Sequence, residues 1–214
     1  MNDAAARRLW LPYVAPMVAY MVITLVQFIM VAQSKDNVLF VYPLKTLIVA
    51  GVLWVFHNRY EELKPSFSLL DVAVGLVAIA IWILLDPHYP KMGAKSDIFD
   101  PTGHMVFIFF RVTGAVLVVP LMEELFWRGF LIRWLVNEDF KKVAVGVFSK
   151  SSFVITVALF GIEHREWLAG LVCGVLYNWL YYRRKSVFAC VVAHATSNAV
   201  LAAWVLARGD WKFW

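Results

Sequence analysis

The chain has 214 residues, of which 62% are hydrophobic and only 16% are charged, and its formal net charge is +5. An ordinary soluble domain carries about 25% charged residues, so the composition argues against a soluble globule. We interpret the positive charge as an excess of Lys and Arg in cytoplasmic loops. It gives no reason to expect nucleic acid as a partner.

Long apolar stretches, separated by short polar loops, fill nearly the whole chain. A helix that crosses a bilayer needs about 20 mostly apolar residues. We therefore predict membrane spans at residues 9–32, 38–57, 69–85, 104–121, 152–163, 167–182 and 187–207, and an additional helix at 122–136 that lies partly in the membrane. The expected fold is all-α: residues 1–214 form a single domain, a polytopic bundle of seven to eight transmembrane helices with an intramembrane polar cavity.

The spans at 152–163 and 167–182 are short for straight transmembrane helices. Either Gly161 breaks them into a shallow hairpin, or their ends lie below the membrane surface against protein or water. The first span follows Arg7 and Arg8, but it is longer than the apolar region of a signal peptide, so we expect a retained anchor. The Lys and Arg of the short loops place the N-terminus in the cytoplasm, as in a protein of the bacterial cytoplasmic (inner) membrane.

Ionisable side chains inside spans are costly and point to function, and the first such cluster is Glu123-Glu124-Leu-Phe-Trp-Arg128. Glu124 and Arg128 are four residues apart, so they share a helix face and can form an ion pair. Glu123 points about 100° away and has no obvious local partner. An unpaired carboxylate in a poorly solvated position suits a general base or acid. The alternative is that both glutamates only end the span at the cytoplasmic surface.

Each of the other two clusters contains a histidine. Phe160-Gly-Ile-Glu-His164 ends one of the short spans, where His164 can share a proton with a carboxylate or orient water, or be an ordinary interfacial histidine. His194-Ala-Thr-Ser-Asn198 lies in the last span, and its two end residues are one helical turn apart on the same face. They can stabilise an oxyanion or hydrogen-bond neighbouring helices.

Together the three clusters resemble the signature of the CAAX protease and bacteriocin-processing family, also called the type II CAAX prenyl endopeptidase or Abi family. The family pattern is Glu-Glu-x-x-x-Arg, then Phe-x-x-x-His, then His-x-x-x-Asn or Asp. The chain matches every position of this pattern between Glu123 and Asn198. The segment Tyr-Pro-Leu-Lys-Thr at 42–46 resembles the bacterial branch of the family that is associated with exosortase sorting systems.

The resemblance implies an intramembrane, glutamate-dependent endopeptidase that needs neither a metal nor a cofactor. The implied catalytic residues are Glu123, His164, His194 and Asn198, supported by Glu124 and Arg128. Glu123 and the first histidine would activate water, while the second histidine and the asparagine would stabilise the oxyanion. The substrate would be a membrane-associated peptide or protein, cleaved near a prenylated C-terminal Cys-a-a-X site or during protein sorting. We expect the cavity to open toward the cytoplasm.

Three other interpretations stay open. Two histidines and two glutamates can ligate zinc, although the sequence contains no His-Glu-x-x-His pair. A non-catalytic member of the same family, such as a bacteriocin self-immunity or assembly factor, would carry the same signature. Lys45 and Arg111 lie within spans, where they can mark the path of a transporter, or else snorkel toward the surface or pair with Glu163 or Glu166. The sequence sets neither the natural substrate nor the oligomeric state.

Overall fold

Residues 9–93 and 99–214, the part of the chain that this computed structural model describes, contain seven α-helices and no β-strand. We number the helices in chain order: α1 (Leu11–Gln33), α2 (Val38–Val55), α3 (Leu69–Leu85), α4 (Met105–Trp134), α5 (Lys150–Glu163), α6 (Trp167–Arg184) and α7 (Val187–Arg208). The predicted all-α fold is confirmed. Arg7 and Arg8, which entered the orientation argument, lie outside the described residues.

Five of these helices, α1 to α4 and α7, are long and apolar enough to cross a membrane. Their outward faces carry large apolar side chains: Phe28, Phe40 and Trp54 are each more than 70% exposed. Such exposure is expected where lipid, and not water, surrounds the protein. The chain is therefore a polytopic integral membrane protein.

Helix α4 differs from the prediction, which divided it into a span at 104–121 and a separate helix at 122–136. It is one continuous helix of 30 residues that includes two wider, π-helical segments, Gly114–Val118 and Leu125–Leu131. Pro120 does not end the helix. Proline cannot donate the i→i−4 hydrogen bond and crowds the preceding turn, and the wider turn immediately before it makes room for the ring.

Helices α5 and α6 form the short hairpin that the sequence indicates. Helix α5 has 14 residues and is about 21 Å long, against about 30 Å for the hydrocarbon core of a bilayer. Gly161 does not break it but lies in its last turn, where it lets α6 approach. A Cβ added to Gly170 of α6 would lie 3.1 Å from the Cα of Gly161. Helix α5 is therefore shorter than the hydrocarbon core is thick, and it packs closely on α6.

Helix α4 runs through the bundle and packs against α1, α2, α5 and α7, while α3 packs against α6 and α7. Helices α3 and α7 approach closely at Gly75, where an added Cβ would collide with the backbone carbonyl of Ala193 and lie 2.8 Å from the Cβ of Thr196. These contacts bring α4, α5 and α7, the three helices that carry the signature motifs, to one region of the core.

Two ionic clusters mark the opposite ends of the bundle. At one end, Glu62 accepts hydrogen bonds from Arg133 (2.6 Å), Lys141 (2.9 Å) and Tyr13 (2.5 Å). Burial raises the pKa of Glu62, but these three hydrogen bonds more than offset it and hold the pKa below its ordinary value. We call these four side chains the Glu62 network. It ties the 57–68 loop to α1 and to the end of α4.

At the other end, Asp86 forms an ion pair with Lys212 at 2.9 Å, and the backbone N–H of Met92 donates to the carbonyl of Arg165. We call this end, formed by residues 86–93, 99–104, 164–166 and 209–214, the Asp86 end. The opposite end, formed by 57–68, 135–149 and 185–186, is the Glu62 end.

Candidate active site

Glu124 and Arg128 form the predicted ion pair, with 3.1 Å between Oε1 and Nη1, and both side chains are buried. The Nε–H of Arg128 donates to Oδ1 of Asn178 in α6 at 3.1 Å, and the amide of Asn178 donates to Oγ1 of Thr156 in α5 at 2.9 Å. Arg128 therefore connects its own helix to both helices of the hairpin. A buried guanidinium is tolerated because each of these contacts satisfies part of its charge and donors.

Glu123 is also buried, with 4% of the residue exposed, but it is not part of this network. Among the described residues, no donor forms a hydrogen bond with its Oε2 atom. Its side chain lines a cavity between the helices. The two adjacent glutamates thus have different surroundings, as their 100° separation on a helix predicts.

His194 contacts Glu124, with 3.0 Å between Nδ1 and Oε1. A carboxylate only accepts hydrogen bonds, so Nδ1 carries the proton. The imidazole is also stacked on the ring of Tyr177, with 5.2 Å between the ring centroids. Glu124 therefore holds both Arg128 and His194, a connection between the first and third motifs that sequence reasoning did not predict.

His164 lies at the C-terminal end of α5, where its Nδ1 is 2.7 Å from the carbonyl oxygen of Phe160. The carbonyl accepts, so Nδ1 is again the donor. In the neutral ring the other nitrogen, Nε2, is then an acceptor that can take a proton from water. The edge-on ring of Trp82, 5.4 Å away between centroids, fixes the imidazole from the side of α3.

Asn198 lies one turn after His194 on α7, and its side-chain amide donates to the carbonyl of Ala115 at 2.8 Å. Ala115 belongs to the first π-helical segment of α4. The wider turn thus presents a backbone acceptor to α7 and orients the asparagine. One N–H of the amide is used in this contact, and the second is left for another acceptor.

Phe160 joins the three motifs physically. Its buried ring lies 4.8 Å from the Cζ atom of Arg128, 4.8 Å from the ring of His164 and 6.2 Å from the ring of His194. These distances match cation–π and aromatic contacts. A phenylalanine at this position therefore sets the spacing between the ion pair and the two histidines.

The four residues predicted to be catalytic, Glu123, His164, His194 and Asn198, all line one cavity of about 240 Å³. Glu124 and Arg128 do not line it, which agrees with a supporting role behind the wall. The cavity is large enough for several water molecules. Helix α5 ends at Glu163, so that His164 lines the cavity directly after the helix.

The cavity lies toward the Asp86 end, since its wall includes Trp82, Arg111, Glu166, Phe213 and Trp214. Starting from a cytoplasmic N-terminus, α1 would cross outward, so the Asp86 end would face away from the cytoplasm. The sequence-based expectations of a cytoplasmic N-terminus and of a cavity open to the cytoplasm are therefore incompatible. The polar tip of the hairpin is at the Asp86 end, the same end as the cavity.

Residues 105–200 match the family model described as "Rce1-like: Type II CAAX prenyl endopeptidase Rce1-like". This region is Rce1-like. The resemblance predicted from the three motifs is confirmed, and the matched region contains all of them. A comparison with curated proteins gives no match, and neither does a comparison with solved structures. The family supports a membrane protease, and helices α1 to α3 lie outside the matched region.

Three polar residues of the Rce1-like region were not among the predicted site residues. Asn178 supports Arg128 as described, and Tyr177 packs on His194 and places its hydroxyl 2.7 Å from Oγ of Ser197. The Ser197 hydroxyl in turn lies 2.9 Å from the carbonyl oxygen of Gly75 in α3. An asparagine or a serine in an apolar helix is itself a signal for an interhelical hydrogen bond. That criterion alone would have found Asn178 and Ser197.

The candidate metal ligands do not form a coordination cluster. Among residues 9–93 and 99–214, no three or more His, Cys, Asp or Glu side chains are arranged to hold a metal ion. In the Rce1-like region, Glu124 is engaged by Arg128 and His194.

Proposed function

We propose that this chain is a membrane-embedded endopeptidase in which Glu123 and His164 activate a water molecule for attack on a peptide carbonyl. The observation that carries the proposal is that Glu123, free of the ion pair beside it, lines the same cavity as His164, His194 and Asn198. The match to the Rce1-like family supports a peptidase. The different surroundings of Glu123 and Glu124 support different roles for these two adjacent glutamates.

Two acceptors on one cavity wall suit the activation of water. The Glu123 carboxylate and Nε2 of neutral His164 can each accept one hydrogen of the same water molecule, which turns a lone pair of its oxygen toward the substrate. As the O–C bond forms, the proton passes to one of these acceptors. It is then delivered to the leaving amine when the C–N bond breaks. General base and acid catalysis of this kind contributes typically 10²- to 10⁴-fold.

The negative charge that develops on the carbonyl oxygen needs donors, and Asn198 supplies one from the N–H that Ala115 does not use. His194 already uses Nδ1–H on Glu124, so its Nε2 can donate only when the ring is an imidazolium. The Glu124 carboxylate compensates that charge. Removing one preorganised oxyanion donor costs about 10²- to 10³-fold in rate.

We propose a membrane-associated peptide or protein as the substrate, in a bacterial cytoplasmic membrane with the N-terminus of the chain in the cytoplasm. In that orientation the cavity faces away from the cytoplasm, which favours a substrate presented on the outer side, as in protein sorting. A prenylated Cys-a-a-X protein is the other candidate, and it requires the opposite orientation of the cavity. Labelling of single cysteines introduced at the two ends of the bundle distinguishes the orientations.

The test is cleavage of a membrane-anchored peptide library, including farnesylated Cys-a-a-X members, by the purified protein in lipid nanodiscs. Glu123→Gln keeps the side-chain volume but removes the base, and we expect at least a 100-fold loss of cleavage with an unchanged thermal transition. Glu138→Gln is the matched control because Glu138 is exposed and lies outside the cavity. Its activity should equal that of the parent.

Each other outcome points to a different function. Cleavage that is lost with a tight chelator and restored by zinc would favour a zinc protease. Cleavage by neither protein, with an unchanged biological role for the Glu123→Gln variant in cells, would favour a non-catalytic immunity or assembly factor. A Glu123→Gln protein that does not fold would remove the argument for a catalytic role of this glutamate.

A further inference from the structure

The cavity continues past Glu123 toward the Asp86 end, where its wall becomes cationic and aromatic. Arg111 of α4 lines this part together with Tyr20, Tyr42 and Trp214. The Cζ atom of Arg111 lies 4.6 Å from the ring centroid of Tyr42 and 5.7 Å from that of Trp214. The guanidinium is therefore held between aromatic faces at the wall of the cavity. Arginine stays charged in proteins.

A second cation lies one aromatic ring away. Lys45 is only 3% exposed, and its Nζ atom lies 4.5 Å from the ring centroid of Tyr20 and 4.8 Å from that of Tyr42. Its one side-chain hydrogen bond goes to the hydroxyl of Thr24, at 3.3 Å. Lys45 thus contacts Tyr20 and Tyr42, the two tyrosines that line the cavity, but does not line the cavity itself.

Neither cation has the acidic partner that the sequence suggested. Within the described part of the chain, Arg111 and Lys45 form no ion pair with Glu163, Glu166 or any other acid. Glu163 is exposed, and Glu166 interacts with Arg165 and Lys91. A cation at membrane depth is costly unless an anion compensates it. Arg111 therefore presents a guanidinium at this wall with no carboxylate paired to it among the described residues, which suits an anion that enters the cavity.

We propose that this part of the cavity is a subsite for a carboxylate of the peptide substrate, with Arg111 as its ligand. The subsite rests on the proposed function, because it takes the bound molecule to be the peptide that is cut. A guanidinium can bind a carboxylate through two parallel N–H···O bonds. The aromatic rings on either side keep its plane fixed.

The length of α4 sets the distance from this carboxylate to the scissile bond. Arg111 and Glu123 are twelve residues apart on the same helix, which corresponds to at most about 18 Å at the α-helical rise of 1.5 Å per residue, because the π-helical segment Gly114–Val118 between them is wider and shorter. An extended peptide spans about 3.3–3.6 Å per residue. The carboxylate, from an acidic side chain or a chain terminus, should therefore lie about four to six residues from the bond that is cut. A cavity of about 240 Å³ over that length is narrow, which suits an extended chain.

The experiment uses pairs of membrane-anchored peptides that are identical except for one group. In each pair, Asp replaces Asn, or a free terminal carboxylate replaces an amide, at a distance of two to nine residues from the cleaved bond. Cleavage in nanodiscs of phosphatidylcholine gives kcat and KM for each member. Binding of the same fluorescent peptides to the Glu123→Gln protein is measured in parallel, so that recognition is observed without catalysis.

We expect the parent to prefer the carboxylate member about 10- to 100-fold, mostly through KM, when the carboxylate lies four to six residues from the bond. Arg111→Gln should treat both members of a pair alike, whereas Arg111→Lys, which keeps the charge but not the planar donor pair, should retain part of the preference. Arg208→Gln is the matched control. Arg208 also lies over an aromatic ring, that of Trp204, but it does not line the cavity.

Several results would overturn the subsite. A parent without any preference, or an Arg111→Gln variant that keeps it, would show that Arg111 does not bind the peptide carboxylate. A preference that appears only with anionic lipid in the nanodisc would assign the cation to a lipid phosphate. Arg111-dependent binding of carboxylate peptides without cleavage by the parent would retain the subsite and refute the proposed protease. The absence of both binding and cleavage would refute the two together.

Discussion

Arg128 is the residue whose removal should damage the fold most. In Arg128→Ala, the carboxylate of Glu124 would stay in a fully buried position with its i,i+4 partner gone. The amide oxygen of Asn178 would lose its donor, and the ring of Phe160 would lose the guanidinium that covers it. Removal of one partner of a buried ion pair costs about 3–5 kcal/mol. We expect a loss of stability in this range.

The assay is reversible unfolding in mixed micelles with increasing dodecyl sulfate, followed by circular dichroism. Arg183→Ala is the control, because Arg183 is an exposed arginine of α6, and a surface substitution of this kind stays within about 0.5 kcal/mol. A double-mutant cycle with Glu124→Gln isolates the pair. The double variant should be more stable than the sum of the single losses predicts, by about 0.5–3 kcal/mol.

Two results would refute this reasoning. An Arg128→Ala protein that unfolds within 1 kcal/mol of the parent, as the exposed control does, would mean that Glu124 is not left with an uncompensated charge. Strictly additive losses in the cycle would mean that the two side chains do not stabilise each other. In either case, an interaction other than the Glu124–Arg128 ion pair would have to hold α4 in place around Glu123.

Two further predictions concern the helix packing and the Glu62 network. Gly75→Ala should destabilise the protein by about 1–3 kcal/mol through overpacking, because the added Cβ would meet α7 at Thr196. Gly51→Ala is the control: no atom lies within 4 Å of its new Cβ, so this variant should be neutral or stabilising. Equal effects of the two substitutions in unfolding titrations would contradict the α3–α7 contact. The pKa of Glu62 is held below its ordinary value near 4.5, so the network should stabilise the fold above that pH and lose its contribution as pH falls through the lowered pKa. The parent should therefore lose more stability than Glu62→Gln on acidification, and parallel pH profiles would show that the network contributes nothing.

The sequence by itself determined the class of the protein and the identity of its polar residues. Apolar runs of about 20 residues predict membrane helices because an unpaired backbone cannot lie in hydrocarbon. The i,i+4 spacing of Glu124 and Arg128 predicts their ion pair, because a helix places residues four apart on one face. The order of three short motifs indicated the Rce1-like family, which the comparison over residues 105–200 confirms.

The structure of α4 and the hairpin could not be predicted in this way. Pro120 indicates the end of a helix when local propensity alone is considered, but tertiary packing keeps α4 continuous, and a π-helical segment accommodates the proline. The packing of α5 on α6 likewise depends on the close approach of Gly161 and Gly170. Both features are properties of packing between segments and have no local signal.

Only the tertiary structure decided which residues meet and where the cavity lies. The contact between His194 and Glu124 joins side chains 70 residues apart, and the ring of Phe160 lies between His194 and His164. The position of the cavity toward the Asp86 end depends on the arrangement of all the helices that line it. Helix periodicity acts over a few residues, whereas a cavity depends on the relative placement of whole helices. That placement is set by packing across the bundle.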